Sequence, residues 1–217
     1  ASSLSAGFRH QAEANALAES ARFAWQSLRD EVEPAGYTPK PWMGAASPAV
    51  LDGSRDAVNA RGDRLALERR SDRNCYGNPN PVLDANGAAA YFLLRSSFEV
   101  RPSGELAWVC DYGPDASSLV RQGNHLSIIA GVESFQLQYG IDADGDGAVD
   151  RWVRAGQWGE ENRLRGVRFS LLLASPHPLG QSGGRLFQVL DETVSTPPDG
   201  RIRQVWHGVI SFGGRET

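Results

Sequence analysis

The first 33 residues constrain the fold more than any other part of the chain. Ala1 to Glu33 reads as one long helix, and Pro34-Ala35-Gly36 makes its continuation impossible. At about 100° per residue, apolar side chains collect on one stripe of this helix. The stripe consists of Leu17, Ala21, Ala24, Leu28 and Val32. We therefore predict a long helix with one face buried against the rest of the chain.

The opposite side of this helix carries a second apolar set, made of Phe8, Ala12, Ala16 and Phe23. Scattered apolar residues are common on protein surfaces, and these four need no further explanation on that view. Alternatively they form a subunit interface, because a helix buried on one side only should not carry two phenylalanines on the other. Both interpretations stay open from the residues alone. The helix starts without an initiator Met or a strong N-cap, and it reads as a helix cut in the middle.

The chain after Pro34 reads as short strands and turns. Residues 34–62 are rich in Pro and Gly and predict a long irregular connection, anchored by Trp42 and Met43. Alternating or apolar runs then predict strands at 64–69, 89–100, 105–112, 118–121, 151–154, 167–173, 186–190 and 202–212. Residues 125–139 predict either one strand or two with a kink at Gly131.

These elements predict an α+β fold in which the helix packs on antiparallel β-sheet. We expect one domain, with residues 1–33 as the helix and 34–217 as a β-rich head. The apolar run at 167–173 is expected to be a central strand. The final strand alternates weakly, and we expect it to be covered on both faces.

Composition excludes some classes of partner. The chain has 217 residues, a net charge of −4 and a pI near 5.6, which argues against a nucleic-acid partner. No apolar run approaches 18 residues, so the sequence predicts no membrane-spanning helix within these residues. If the first helix is truncated, a membrane segment would lie upstream of it.

Cys75 and Cys110 are the only cysteines. They lack a CxxC spacing and nearby histidine ligands, so a metal site is disfavoured. The predicted hairpin within 89–112 places Cys110 on a strand near the loop that holds Cys75. Two buried thiols would fit this arrangement, but we expect a disulfide, which belongs in an oxidising compartment.

One acidic loop is the only conspicuous ligand pattern. Asp142, Asp144, Asp146 and Asp150 match the first nine positions of an EF-hand loop. The twelfth position is Val153, where that loop needs a bidentate Glu, and the flanks read as strands. The loop is therefore not an EF-hand. A solvated, empty turn and a Ca²⁺-binding loop of another kind both remain, and Ca²⁺ is the only cofactor that the sequence suggests.

No pattern points to catalysis. The sequence contains neither a GxSxG elbow nor an SxxK motif, and no phosphate-binding loop precedes a helix with a Lys. The four histidines are scattered without the spacing of metal ligands or of a triad. We expect no catalytic residues and a protein that is not an enzyme.

Three segments resemble one family. Residues 21–31 read ARFAWQSLRDE and close on Ala35-Gly36-Tyr37, which resembles the helix end of PilW-type minor pilins of the type IV pilus, "ARFAL..L.RD....AGY". Residues 132–142, the following DADGDG and the segment VRFSLLL at 167–173 resemble "VE.LQVLYG.D.DGDG…V.AVR.SLLL". The surroundings of Cys75 and Cys110 are similar to the family's "D.C.G … L.C" pair.

The resemblance implies a structural subunit without catalytic activity. Its full form would carry a leader that a prepilin peptidase removes, then a hydrophobic half-helix that anchors it in the inner membrane. The present chain would be the periplasmic part, which later becomes part of an extracellular pilus. Expected partners are other minor pilins, the major pilin and the inner-membrane assembly machinery. The J pseudopilin of type II secretion has the same plan, and a free-standing Ca²⁺-dependent surface-binding β-domain is the alternative from a different class.

Overall fold

A computed structural model describes residues 2–39, 48–59, 61–159, 163–180 and 183–213. These residues form one helix, α1 (Ser2–Val32), and eleven strands. The strands are β1 (Arg55–Asn59), β2 (Gly62–Ser71), β3 (Phe92–Val100), β4 (Leu106–Gly113), β5 (Val120–Ile129), β6 (Val132–Ile141), β7 (Arg151–Val153), β8 (Leu164–Ala174), β9 (Leu186–Val189), β10 (Glu192–Ser195) and β11 (Arg203–Ser211). Trp42 and Met43, the expected anchors of the long connection, lie outside the described residues.

Nine strands form one large sheet, and β9 and β10 form a separate hairpin. The order along the large sheet is β11-β8-β6-β2-β3-β4-β5, with β1 added to β2 and β7 added to β6. Every described pairing is antiparallel except the one between β2 and β6. The hairpin lies against β6, β8 and β11 through β9. The predicted α+β class, a long helix on mostly antiparallel sheet, is confirmed.

The helix packs on the sheet through the stripe that its sequence predicts. Leu17, Ala21, Ala24, Leu28 and Val32 are all buried in the main core. The helix contacts β11 and β5, which are the two ends of the strand order, as well as β8. The sheet therefore curves around the helix, and the helix packs against both end strands of the sheet.

A glycine on β11 allows the helix to approach closely. A Cβ atom at Gly208 would lie 2.4 Å from the Phe169 ring and 2.9 Å from Cδ1 of Trp25. The indole of Trp25 thus fills the space that a side chain at position 208 would need. The Arg29 guanidinium covers the same ring at 5.2 Å from its centroid.

The end of the helix is fixed to the sheet by polar contacts. The Arg69 guanidinium on β2 donates to Glu31 at 3.0 Å, and the Ser96 hydroxyl on β3 donates to the same carboxylate at 2.6 Å. Burial raises the pKa of the Glu31 carboxyl, although Arg69 and Ser96 act in the opposite direction. The helix ends at Val32, shortly before Pro34. Gly36 then takes a left-handed backbone with φ of 78°, and its N–H donates to the Glu68 carbonyl on β2 at 2.8 Å.

The junction between β2 and β6 consists of a single parallel pair, Gly62 with Phe135. The backbone N–H of Phe135 donates to the Arg61 carbonyl at 2.9 Å. Two residues further along β6, the N–H of Leu137 donates to the Asp63 carboxylate at 2.7 Å. This short junction joins two antiparallel blocks, one formed by β11, β8, β6 and β7 and the other by β1 to β5.

The two cysteines form a disulfide, as predicted. The Cα atoms of Cys75 and Cys110 lie 6.0 Å apart, and the bond ties the loop after β2 to β4. The N–H of Cys75 also donates to the Gln122 side chain on β5. The two cysteines are 35 residues apart in sequence, and the chain-entropy model assigns a disulfide that closes a loop of this length roughly 3–4 kcal/mol of stabilisation.

The structure corrects the prediction for the final strand. β11 is an edge strand of the large sheet rather than a strand covered on both faces, and its His207 and Val209 side chains are exposed. Its weak alternation arises because apolar Val205 and Val209 share the outer face, while Gly208 faces the helix. The strand expected to be central, β8, does lie between two neighbours, β11 and β6.

Two short strands were not predicted. β1 lies within the segment that was expected to be irregular, and it is held by β2. β10 exists through pairing with β9. Both are hairpin partners of the adjacent strand, and with five and four residues they are too short to show a clear periodic pattern.

We expect Gly62→Ala to destabilise the fold strongly. Gly62 has φ of 113°, and a Cβ atom there would lie 2.1 Å from the Phe135 carbonyl oxygen. Gly87→Ala is the matched control, because Gly87 has φ of 80° with no atom within 4 Å of the added Cβ. In urea unfolding, Gly62→Ala should lose about 2 kcal/mol or more beyond the loss in Gly87→Ala. Equal losses of unfolding free energy in the two variants would show that the β2–β6 junction accommodates a side chain at position 62, which would contradict this prediction.

The Asp63 carboxyl makes stability fall as pH rises. Burial raises its pKa to about 6, although the N–H groups of Ala57 and Leu137 lower it in part. The folded chain therefore binds a proton more tightly than the unfolded chain between roughly pH 4 and 6, and the free energy of unfolding decreases through that window by up to about 3 kcal/mol. In Asp63→Asn this decrease in the free energy of unfolding between pH 4 and 6 should be absent, as measured by urea titrations at pH 4, 5, 6 and 7. An unchanged pH dependence in that variant would contradict the assignment.

Candidate functional site

The second apolar set on the helix is exposed, as an interface would require. Phe8 is 75 % exposed and Phe23 is 57 % exposed, and Ala12 and Ala16 are also exposed. These residues lie on the side of the helix that faces away from the buried stripe. The chain's own sheet leaves this face open, and whether another subunit covers it stays a prediction.

The helix divides into two parts by burial. From Gly7 to Ala16 every side chain is exposed or partly exposed, and Leu17 is the first buried residue after them. We call residues 7–16 the proximal segment and residues 17–32 the head segment. Isolated helices of this length are marginally stable in water. The proximal segment borders the rest of the chain at His10, which lines a pocket with Phe187 and Arg203.

An apolar groove runs between the helix and the edge strand β5. Its helix side carries Phe23 and Ser27, and its strand side carries Trp108, Leu126 and Ile128. Its volume is about 200 Å³, and it is open to solvent. Leu126 is 58 % exposed, so the groove has accessible apolar walls on both sides. The sequence could not predict this groove, because it forms only when the sheet curves round to bring β5 beside the helix.

The acidic loop brings three of its four predicted ligands together. Asp142, Asp144 and Asp146 each place a carboxylate oxygen within 4.8 Å of the others. Asp150 is not in this group, and its carboxylate accepts the N–H of Ala143 at 2.6 Å. Carboxylate oxygens are the ligands that Ca²⁺ prefers, so the residue types fit that ion.

One carboxylate of the loop already has a cationic partner. Asp142 is fully buried and accepts hydrogen bonds from Arg165 at 2.6 Å and from the N–H groups of Gly145 and Gly147. Desolvation alone would raise the pKa of this carboxyl, but these donors outweigh it and hold the pKa below its usual value. Arg165 thus supplies part of the positive charge that a metal ion would bring. Calcium binding by the loop stays a prediction, which calorimetry with Ca²⁺ tests.

Within the described residues, no group of side chains has the geometry of a catalytic site. His10 and His177 are exposed at separate places, on the helix and in the loop after β8. His125 lies in an irregular part of β5 and His207 on the outer face of β11. The buried carboxyls Glu31 and Asp63 are both engaged in contacts that hold the fold together.

No helix in the described part of the chain is both long enough and apolar enough to cross a membrane.

Comparison with known proteins agrees with this architecture. Residues 111–212 match the family described as Type IV Pilus-assembly protein W, PilW. No curated protein sequence matches the chain. Among solved structures, a type IV-like pilin from Thermus thermophilus has a TM-score of 0.60 with 16 % sequence identity, over 91 % of this chain and 96 % of that one. At this identity the structural similarity shows the fold alone.

The matched residues 111–212 contain the acidic loop and strands β5 to β11. They therefore include β5, β8 and β11, which pack against the helix. The resemblance to PilW-type pilins is confirmed, since this chain matches the PilW family over residues 111–212 and has the fold of a type IV-like pilin.

Proposed function

We propose that the chain is a minor pilin, a non-catalytic subunit of the complex that primes a type IV pilus and sits at its tip. The PilW match and the pilin fold support a type IV pilus component. The observation that carries the finer proposal is the helix face of Phe8, Ala12, Ala16 and Phe23, which the chain's own sheet leaves open. A subunit that joins others through its helix needs such a face.

The proposed role as a minor pilin also implies where the subunit is located in the cell. A hydrophobic half-helix preceding this chain would anchor the subunit in the inner membrane, with the head in the periplasm before assembly and outside the cell afterwards. The Cys75–Cys110 disulfide supports an oxidising compartment. Other minor pilins, the major pilin and the inner-membrane assembly machinery are the partners in this proposal.

Two alternatives have particular observations in their favour. A minor pseudopilin of type II secretion would share the helix and the sheet, and deleting the gene would then block secretion rather than piliation. A Ca²⁺-dependent surface-binding domain is favoured by the three clustered carboxylates of the acidic loop. That activity would persist in a chain lacking the proximal segment, whereas pilus assembly would not.

Substitutions on the open helix face should impair assembly without unfolding the head. Phe8→Asp and Phe23→Asp place a charge where apolar contact with a neighbour is expected, and each phenylalanine contributes roughly 1.5–3 kcal/mol when buried. We expect at least tenfold fewer pili by electron microscopy of cells that carry either variant. The melting temperature of the isolated chain should change little, because both side chains are already exposed.

Tyr76→Asp is the matched control, because Tyr76 is also aromatic and 61 % exposed but lies in the disulfide loop. Normal piliation in Phe8→Asp and Phe23→Asp cells would contradict an interface on this face. Equal loss in all three variants would show that charge on any exposed aromatic position is harmful, which also removes the support for this face.

A further inference from the structure

A cleft of about 200 Å³ lies where the proximal segment of the helix meets the β9–β10 hairpin and the start of β11. Apolar and basic side chains line it together: Leu179, Phe187, Ile202, His10, Arg185 and Arg201. We propose that this cleft binds a carboxylate that is attached to an apolar group. The inference goes beyond the proposed function and does not depend on it.

His10 lies on the same line of the helix as the buried stripe. It precedes Leu28 by 18 residues, or five full turns, so both side chains leave the helix on the side of the head. Leu28 is buried against the sheet, whereas His10 is exposed and lines the cleft. The cleft is therefore the place where the inner side of the helix is no longer covered by the sheet.

Backbone contacts fix the walls of the cleft. The N–H of Leu179 in the loop after β8 donates to the Gly200 carbonyl at 2.9 Å. Gly200 has φ of 73°, and a Cβ atom there would lie 2.0 Å from the Gly180 carbonyl oxygen, so the two loops touch backbone to backbone. On the hairpin, the N–H of Thr196 donates to the Arg185 carbonyl at 2.9 Å. Walls that form without a ligand are typical of small-molecule sites.

The Arg203 guanidinium fixes one side of the cleft and is not available to a ligand. It donates to Glu133 at 2.7 and 2.8 Å and to both carboxylate oxygens of Asp199 at 2.7 Å. The remaining N–H reaches the Arg201 carbonyl at 3.4 Å. All five N–H groups of Arg203 are therefore used, and only 3 % of its side chain is exposed.

Two other guanidinium groups of the lining are free to bind an anion. Among the described residues, Arg185 has no carboxylate within ion-pair distance. Arg201 lies 3.7 Å from the Asp199 carboxylate, which already accepts two hydrogen bonds from Arg203. The cleft thus combines three guanidinium groups with two carboxylates, and it keeps a net charge of +1 before any charge on its histidine is counted.

This lining favours an anion that has an apolar part. Guanidinium groups bind carboxylates through paired hydrogen bonds, and both Arg185 and Arg201 are exposed enough to do so. Leu179, Phe187 and Ile202 are partly buried and offer apolar contact. The cleft is smaller than the roughly 300 Å³ at which pockets for drug-sized ligands begin, so its ligand is about as large as one aromatic amino-acid side chain with its carboxylate.

A ligand in this cleft would join the proximal segment to the hairpin. It would contact His10 on the helix and Arg185 at the start of β9. Because a ligand that binds only the folded form stabilises that form, the helix around His10 should open less often when the cleft is occupied. Binding is therefore expected to slow amide hydrogen exchange in residues 7–16.

An amide NMR titration of the full chain with 3-phenylpropionate tests the site. We expect saturable shifts at residues that line the cleft, and at least tenfold weaker binding of the uncharged analogue 3-phenylpropionamide. Arg185→Gln and Arg201→Gln should each weaken binding of the acid at least tenfold, because each removes one guanidinium group. Arg73→Gln is the matched control, since Arg73 is also an exposed arginine but lies beside the disulfide, and it should bind like the unmodified chain.

Hydrogen exchange gives a second readout. Saturating 3-phenylpropionate should slow the exchange of residues 7–16 at least threefold in the unmodified chain and leave it unchanged in Arg185→Gln. A short peptide that ends in phenylalanine with a free carboxylate distinguishes the source of the ligand. At least tenfold tighter binding of this peptide would indicate the C-terminus of a protein chain, and equal affinity would indicate a free small carboxylate.

Three results would each overturn the proposal: no saturable shifts at the cleft, equal affinity for the acid and its amide, or unchanged affinity in both arginine variants. Circular dichroism should show that both variants are folded, because both side chains are exposed. Loss of piliation in Phe8→Asp cells together with any of these results would reject the carboxylate site while the proposed function stands.

Discussion

Burial of the stripe from Leu17 to Val32 is the interaction on which the rest of the structure depends. The two ends of the large sheet, β11 and β5, both contact this one helix. Each fully buried leucine contributes roughly 1.5–3 kcal/mol to the free energy of folding. The core of the head is therefore closed only when the helix packs against the concave side of the sheet. Because the stripe occupies one side of the second half of the helix, the first half and the opposite face remain available to neighbours.

The curve of the sheet depends in turn on the narrow junction between β2 and β6. Two antiparallel blocks meet there at one parallel pair, which needs a glycine at position 62 and uses the Asp63 carboxylate to hold Leu137. The helix bridges these blocks, since β8 and β11 belong to one and β5 to the other. The Glu31–Arg69 ion pair fixes the second block at the end of the helix, and the disulfide ties the loop after β2 to β4 within that block. The same junction that shapes the head therefore also creates the groove beside Phe23.

Local patterns in the sequence predicted the parts of the fold that have their own periodicity. The helix, its buried stripe and most strands follow from the spacing of apolar residues, and the disulfide was predicted from residue type and strand position. The junction at Gly62 and the edge position of β11 depend on pairing between distant segments, which a single sequence does not display. β1 and β10 pair with their neighbours β2 and β9 in hairpins, but five and four residues are too few to give a clear periodic pattern. The candidate site divides in the same way: the exposed set around Phe8 is visible in helical periodicity, whereas the groove is made by Leu126 and Trp108 from two strands. In the acidic loop, the clustering of three aspartates was predictable, but the partner Arg165 lies beyond the loop.

Amide hydrogen exchange on the isolated chain, followed by mass spectrometry, measures the division of the helix most directly. If the head segment is packed on the sheet and the proximal segment is packed only after assembly with a neighbouring subunit, amides of residues 21–32 should be strongly protected from exchange. Amides of residues 7–16 should exchange at least a hundredfold faster, because a bare helix of that length opens readily. Equal protection along the whole helix would show that the proximal segment is stabilised within its own subunit, and the account of a helix with one half reserved for assembly would be wrong.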